Sequence, residues 1–423
     1  MIDYKEIVKR AMRESEEYFR RVEEIAVTNL EKVLAAFQEN EVAYRHFAPT
    51  TGYGYDDAGR DTLDKVYARV LGAEQAIVSP NWVSGTHVLS DALFSQLHPG
   101  DKILSATGKP YDTLEEVIGI AGNAFHSLKN WGIEYSQVDL NDKGEIDYEA
   151  LGQALQAEHI QMVLLQRSPG YSFRSALSIE EIEKFCQFVK KTSPDTLIFV
   201  DNCYGEFTDI KEPTEVGVDL MAGSLIKNIG GGIAPTGGYA AGTGVCIERL
   251  AQRLTAPSIG REVGSYAYGY QSFYQGLFMA PTAVSNAVKG AILFAKGFEL
   301  LGFEVRPASW EPRNDIIQAI CLEDEALMIE ICRIVQSVSP LDSNVVPLPW
   351  DMPGYTSQVI MAAGTFVQGA SIELSCDGPV KPPYVLYMQG GITFEHVVAA
   401  FQKVIEHVVK SGKYTYQSGG EQR

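Results

Sequence analysis

The sequence has few basic residues relative to its acidic ones. Its 35 Lys and Arg residues stand against 54 Asp and Glu residues, giving a formal net charge of −19 over 423 residues. A surface of that sign repels phosphates, so we expect neither nucleic acid nor an anionic membrane as a partner. We also expect no membrane span, because no apolar stretch is long enough, and the N-terminus is too charged for a signal peptide.

Cysteine pairs and several common motifs are also missing. The six cysteines form no CxxC pair and no regular framework; they are Cys186, Cys203, Cys246, Cys321, Cys332 and Cys376. Such scattered cysteines are typical of reduced thiols, so we expect a cytoplasmic protein. A P-loop, a complete dinucleotide fingerprint, GxSxG and HExxH are all absent, and the seven histidines are scattered. We therefore predict no metal site.

Alternating patterns are what the sequence does contain. Between about residues 75 and 245, short β-like runs alternate with helical ones, which predicts an α/β fold with a mostly parallel sheet. Residues 3–38 carry apolar positions at helical spacing, typical of an amphipathic arm in more than one piece. Residues 280–302 resemble a long helix that leads into a smaller domain. We predict a helical arm, a large domain and a small C-terminal α+β domain at residues 1–45, 46–285 and 286–423.

The most informative segment reads LIFVDNCYGEF from residue 197 and GVDLMAGSLIKNIGGG from residue 217. Asp201 ends an apolar run, and Lys227 lies in another, three residues after Ser224. Singly, the acid would be a turn former and the lysine a strand-end residue that reaches for water. Together they are typical of a pyridoxal phosphate (PLP) site, in which the lysine forms a Schiff base and the acid faces the pyridine nitrogen. Desolvation is expected to lower the pKa of such a lysine.

Other residues occur where that cofactor would need them. Ser84, Gly85 and Thr86 open a helix after a strand, and the free N–H groups of such a turn bind phosphate; simple helix capping is the alternative. Tyr111 follows the next strand and would stack on the pyridine ring. Ser224 would add a hydroxyl to the phosphate site.

This order of residues resembles the fold-type I PLP enzymes, and within them the Cys/Met-metabolism, cystathionine β-lyase-like branch. The stretches GYGYDDAGRDTLDKVYA, QRSPGY, KNIGGGIAPTGGY, YQGLFMAP, GTFVQGASIELSCDGP and PPYVLYMQGG are similar to the bacterial methionine γ-lyase-like or aluminium resistance proteins. The resemblance covers roughly residues 45–395. It implies the fold-type I architecture, PLP as cofactor and a homo-oligomer, a dimer or a homotetramer, with shared active sites.

The resemblance is incomplete around the ligands. The lyases use a Tyr-x-Arg pair that reaches a neighbouring subunit's cofactor phosphate, and the candidates here, Tyr53 or Tyr55 with Arg60, have a different spacing. Tyr171 replaces an Asn that follows Ser-Pro in the lyases, which makes it a candidate substrate residue.

The arginine that holds the substrate carboxylate in the lyases has no counterpart late in this chain. A bidentate guanidinium is the best anchor for a carboxylate, so another cation must serve. We rank Arg174 first, then Lys381, then Arg167, while surface charge is the alternative for each.

The predicted function is a PLP-dependent carbon–sulfur lyase that acts on a sulfur-containing amino acid of the cystathionine, cysteine or methionine type. It would work by β- or γ-elimination, with Lys227, Asp201 and Tyr111 as catalytic residues. One alternative is another PLP-dependent amino-acid reaction: replacement, transfer or aldol cleavage. A second is a non-catalytic metal-stress protein that sequesters a cation such as Al³⁺, although the acidic runs are typical of solvated faces.

Overall fold

A computed structural model describes residues 3–352 and 357–416. Its helices are α1 (Tyr4–Glu39), α2 (Ala58–Val70), α3 (Gly85–Gln96), α4 (Asp112–Ile118), α5 (Tyr148–Ala157), α6 (Ile179–Thr192), α7 (Gly244–Leu254), α8 (Gln271–Leu300), α9 (Glu325–Ser337) and α10 (Phe394–Ser411). Its strands are β1 (Gln75–Ser79), β2 (Lys102–Ser105), β3 (Glu134–Gln137), β4 (Met162–Gln166), β5 (Leu197–Asp201), β6 (Leu220–Ser224), β7 (Gly238–Gly242), β8 (Glu304–Arg306), β9 (Ile317–Cys321), β10 (Val359–Ala362), β11 (Ser375–Pro379) and β12 (Val385–Gln389).

The larger sheet has the strand order β1-β7-β6-β5-β4-β2-β3. Strand β7 runs antiparallel to both of its neighbours, and the other pairs are parallel. Strands β4 and β5 are nearly continuous apolar runs because helices cover both faces of the sheet. Gln166 pairs with Asp201, and Asp201 pairs with Ala222, so the carboxyl ends of β4, β5 and β6 meet at one edge. Ligands bind at such edges.

The smaller sheet is antiparallel, with the order β10-β11-β12-β9-β8. Helices α9 and α10 pack together, and α9 also packs on β10 and β11. This part is the C-terminal α+β unit that the sequence predicts. Helix α8 runs across residue 286, where we place the start of the small domain, and the domain boundaries stay a prediction.

Two long helices differ from expectation. The arm is a single helix of 36 residues, α1, since its sequence has neither Gly nor Pro to interrupt it. Helix α8 is long and apolar enough to cross a membrane, so the expectation that no stretch has that length and composition was wrong. In the structure, 72% of its most apolar window is buried, and it packs against α1 and α10 as a core helix.

Candidate active site

A cleft of about 490 Å³ lies at the carboxyl ends of β4, β5 and β6. Its walls include predicted site residues from distant parts of the sequence, namely Gly85, Thr86, Tyr111, Asp201 and Lys227. Strand order explains this convergence, because each residue ends a strand, follows one or lies in the first turn of the helix after one.

Helix α3 begins at one end of the cleft. Ser84 is its N-cap, and the hydroxyl of Ser84 accepts a hydrogen bond of 3.1 Å from the backbone N–H of His87. The Ser84 hydroxyl therefore caps the helix, which is the alternative to a role in phosphate binding. Thr86 follows in the first turn, and its Oγ1 lies 2.8 Å from Oγ1 of Thr113.

The absence of a side chain at Gly85 keeps the floor of the cleft open. A Cβ placed there would lie 3.4 Å from Cβ of Ser224 and 3.8 Å from Sγ of Cys203. Ser224 is buried at the end of β6, directly beside the start of α3. A hydroxyl, a glycine and a helix N-terminus thus form a cradle that fits a phosphate group.

Asp201 is buried at the end of β5. Its Oδ1 accepts a hydrogen bond of 3.1 Å from the backbone N–H of Cys203. Burial raises the pKa of Asp201, while the positive charge of Lys227 opposes that shift. A buried acid of this kind is stabilised as an anion by a cationic partner, and a protonated pyridine nitrogen fits that requirement.

Lys227 follows β6 and is partly exposed in the cleft. Its Nζ lies 4.1 Å from the centroid of the Tyr204 ring. The next turn contains Gly231 at φ +59°, where a Cβ would clash with the carbonyl oxygen of Gly276 in α8, so only glycine fits there.

The expectation of a lowered pKa for Lys227 was wrong for the free amine. Burial lowers the pKa of this amine, but the acidic groups of Cys203, Tyr204, Asp201 and Glu206 together raise it above its ordinary value. The apolar sequence around Lys227 gave no sign of these neighbours, because they belong to a segment that precedes it by more than twenty positions.

A second, more polar cleft of about 750 Å³ adjoins the first and shares Tyr111 with it. Lys109, Tyr171 and Lys381 lie on its walls. The Tyr171 hydroxyl donates a hydrogen bond of 2.8 Å to Oδ2 of Asp377. Two of the predicted substrate residues, Tyr171 and Lys381, therefore lie where both sheets meet the cofactor cleft.

The two arginine candidates bind the protein itself. The Arg174 guanidinium donates hydrogen bonds to the backbone carbonyls of Ser175, Gln166 and Ser168, at 2.9, 3.1 and 3.3 Å. Burial lowers its pKa to about 10. Neither arginine is among the described residues that line the two clefts. This geometry argues against our first-ranked anchor.

Arg167 is fully buried behind the larger sheet's edge. It donates hydrogen bonds to Oδ1 of Asn202 at 2.8 Å and to the carbonyl of Gly205 at 2.9 Å. A sequence pattern cannot separate such an internal clamp from a ligand-binding arginine at a strand end.

The candidate residues of the loop before α2 and its first turn, Tyr53, Tyr55 and Arg60, are not among the described residues that line the cofactor cleft. Arg60 donates to the carbonyls of Gly54 and Gly264, both at 2.9 Å. Tyr53 and Tyr55 are 71% and 64% exposed. Their predicted role concerns the cofactor of a neighbouring subunit, and it stays a prediction.

The sequence did not point to several residues that line the cofactor cleft, among them Gln166, Cys203 and Tyr204. Gln166 could have been found, because it ends the strand that pairs with β5. The placement of Tyr204 could not, since its backbone turns through an uncommon left-handed conformation.

The fold and the cleft agree with comparisons to known proteins. The model of the family described as methionine gamma-lyase matches residues 4–409. The uncharacterized protein YnbB of Bacillus subtilis (strain 168) is 49% identical over 393 residues, 92% of this chain and 93% of that protein.

Two solved structures have the same fold. A carbon-sulfur lyase involved in aluminum resistance from Clostridium novyi NT is similar at a TM-score of 0.92 and 50% identity, over 96% of each chain. The pyridoxal-5'-phosphate dependent protein YhfS from Escherichia coli is similar at a TM-score of 0.59 and 16% identity, over 92% of this chain and 97% of that one. The predicted fold class, the fold-type I PLP-dependent transferase fold, is confirmed.

Proposed function

The chain belongs to the methionine gamma-lyase family, and on that premise we propose that it is a PLP-dependent carbon–sulfur lyase acting on a sulfur-containing amino acid. The observation that carries the proposal is the meeting of Lys227, Asp201 and Tyr111 with the start of α3 in one cleft. The Clostridium novyi protein, similar over nearly its whole length, bears the name of a carbon-sulfur lyase. The substrate class is cystathionine, cysteine or methionine, and the reaction is β- or γ-elimination.

The residues of the cleft divide the task of holding the cofactor. When bound, PLP supplies an electron sink for the carbanion that forms when an amino acid loses its α-proton. Lys227 is the residue that would hold it covalently. The cradle of Gly85, Thr86 and Ser224 would hold the phosphate, and Tyr111 would lie against the ring.

Two charged side chains then carry the chemistry of the chain itself. Asp201 would stay ionised beside the ring nitrogen of the bound cofactor, where its negative charge would favour the protonated nitrogen. The amine of Lys227, once free, takes the proton from the substrate Cα and can return a proton to a later carbon. Loss of the thiol group, with water consumed, gives a thiol, a 2-oxo acid and ammonia.

The adjoining cleft supplies the anchor for the substrate carboxylate in this proposal. Lys381 is exposed on the wall of this cleft and belongs to the loop between β11 and β12. Lys109 also lines the cleft and belongs to the loop that precedes Tyr111. Lys109 already pairs with Glu115 at 2.7 Å. Lys381 is therefore the preferred anchor, in place of Arg174.

Exposed aromatic side chains support the proposed homo-oligomer. Tyr44, Tyr53, Tyr55 and Tyr268 are between 64% and 90% exposed. The rings of Tyr53 and Tyr55 also pack against each other, with centroids 5.5 Å apart, and contiguous exposed apolar patches mark surfaces that bind other proteins. A dimer or a tetramer in which Tyr55 and Arg60 reach a neighbour's cofactor would cover them, and light scattering of the active enzyme tests this.

All six cysteines, which lie within the described ranges, are buried free thiols and support a cytoplasmic enzyme.

The test is to assay the purified protein for bound PLP and for release of thiol and 2-oxo acid from cysteine, cystathionine and methionine. We expect a yellow protein that releases both products from at least one of the three. Bound PLP without thiol release would contradict lyase activity and favour another PLP-dependent reaction. A colourless protein that takes up no PLP would contradict the cofactor assignment. Among the described residues, no group of three or more His, Cys, Asp or Glu side chains is placed to hold a metal ion.

A further inference from the structure

Tyr204 lies between the lysine of the cofactor cleft and the smaller sheet. Its backbone has φ +73°, in the left-handed region that bulky residues rarely occupy. Phe207, three residues later, has φ +61°. Such conformations cost free energy and persist only where surrounding contacts hold them, frequently at functional sites.

Three contacts hold Tyr204 in this conformation. The side-chain amide of Asn228, the residue after Lys227, donates a hydrogen bond of 2.8 Å to the Tyr204 carbonyl. The Tyr204 hydroxyl lies 3.0 Å from Oγ of Ser371, which is buried in the loop between β10 and β11. Between these two ends, the ring centroid lies 4.1 Å from Nζ of Lys227. The same side chain therefore contacts the amine and the second sheet.

We propose that Tyr204 is a positioning residue for Lys227. The face of its ring holds the free ammonium group, and its hydroxyl, through Ser371, fixes the position of that ring relative to the smaller sheet. This inference rests on the proposed function, because Lys227 must be free and correctly placed to move protons at the substrate. The inference gives Tyr204 a role, although the proposed function does not place it at the cofactor phosphate or at the substrate carboxylate.

Other groups face the same amine but hold it less directly. Asp201, Cys203 and Glu206 come from the segment that contains Tyr204, and Tyr111 lines the same cleft. The Glu206 carboxylate already accepts a hydrogen bond of 2.7 Å from the Tyr239 hydroxyl. Asp201, Cys203 and Glu206 act on Lys227 through their charges. The ring face is thus the contact that gives the ammonium group a defined place, since a cation is attracted to the π-electrons of an aromatic ring.

The ring is tested in the apoprotein, where no substrate or cofactor is needed. The pKa of Lys227 is measured from the pH dependence of its acetylation, with the labelled peptide read by mass spectrometry. We expect Tyr204→Leu to lower this pKa by about one unit, because a similar volume remains but the ring is lost. Tyr204→Phe keeps the ring and should shift it by no more than a few tenths of a unit. An unchanged pKa in Tyr204→Leu would overturn the proposal.

Folding and function are separated by further variants in the same assay. Tyr204→Met has no ring, and its flexible side chain fits the same space, so it should lower the pKa of Lys227 as much as Tyr204→Leu does. If one of the two variants folds poorly, the other still tests the role of the ring. A protein that shows this shift but releases no thiol from any amino acid would sink the proposed lyase function and leave the role of the ring intact.

The link to the smaller sheet is tested by Tyr204→Phe, Ser371→Ala and the double variant in the holoenzyme. We expect each to lower kcat by about 2- to 10-fold with KM nearly unchanged, and the double variant to equal either single one. Asn314→Ala is the matched control, because it removes another hydrogen bond, 3.2 Å to the carbonyl of Ala176, between the same two parts. Additive losses, or an equal loss in Asn314→Ala, would show that Tyr204 does not transmit the position of Ser371.

Discussion

The two clefts that share Tyr111 are built in different ways. The cofactor cleft is formed by residues at the ends of adjacent strands, and Asp201 and Ser224 there are buried. The second cleft is formed by loops from both sheets, and its two lysines, Lys109 and Lys381, are exposed.

This difference corresponds to two kinds of ligand. Strand ends are rigid, and buried charges there are fixed by their neighbours, which suits a group that stays bound. Loops that carry exposed lysines suit a ligand that enters and leaves in each catalytic cycle. A solvated cation loses little interaction free energy when its partner departs, because water replaces the partner. Variants of the first cleft should therefore affect the rate, and variants of the second should affect binding.

The largest effect is expected at Lys227. Lys227→Ala removes both the covalent attachment and the base, so turnover should fall by at least about 10²–10⁴-fold. Borohydride reduction and peptide mapping should place the pyridoxyl group on Lys227 of the wild type. The exposed Lys211→Ala is the control and should keep full activity. Label on another lysine would break the assignment of the cofactor cleft.

Asp201→Asn should have the next largest effect. The amide keeps the size of the side chain but cannot stabilise a cationic ring nitrogen, so kcat should fall by at least about 10²–10³-fold while PLP stays bound. Absorbance of the bound cofactor and steady-state kinetics measure the two quantities separately. Asp195→Asn, an exposed acid, is the control. A near-normal rate would mean that another group faces the nitrogen.

Lys381 tests the second cleft. Lys381→Gln should raise KM by about 10-fold with a smaller change in kcat, because the charge that attracts the carboxylate is lost, and Lys381→Arg should restore binding. Arg174→Gln should leave KM nearly unchanged but lower the free energy of unfolding by about 1–3 kcal/mol, since three backbone carbonyls lose their donor. If Arg174→Gln raised KM and Lys381→Gln did not, the comparison between the clefts would be reversed.

The contrast between the clefts also explains what the sequence could predict. Residues such as Asp201 and Tyr111 were located because alternating patterns imply parallel strands, and parallel strands bring their carboxyl ends together. The rank of the anchor could not be predicted in the same way, because Arg174 and Lys381 lie on loops, where no periodicity shows which backbone carbonyls are near. The raised pKa of Lys227 had the same origin, since it depends on how the chain turns after Asp201.

The last effect concerns stability alone, at the buried acid that accepts a hydrogen bond from Tyr171. Burial raises the pKa of Asp377 to about 6, although the hydrogen bond from Tyr171 opposes the shift. Because this folded-state pKa exceeds the ordinary value of 3.8, the contribution of Asp377 to stability is complete below about pH 3.8 and is lost as the pH rises through about 6.

Asp377→Asn removes that loss, since the amide stays neutral at every pH. Relative to the wild type, the variant should gain about 1–3 kcal/mol in the free energy of unfolding between ~pH 4 and ~pH 7.5, as measured by urea titration at each pH. Asp195→Asn should show no such gain, because its carboxylate is solvated in both states. A difference between Asp377→Asn and the wild type that stayed constant with pH would mean that Asp377 is ionised throughout. In that case a nearby cation would balance its charge, as the charge of Lys227 opposes the pKa shift of Asp201 in the first cleft.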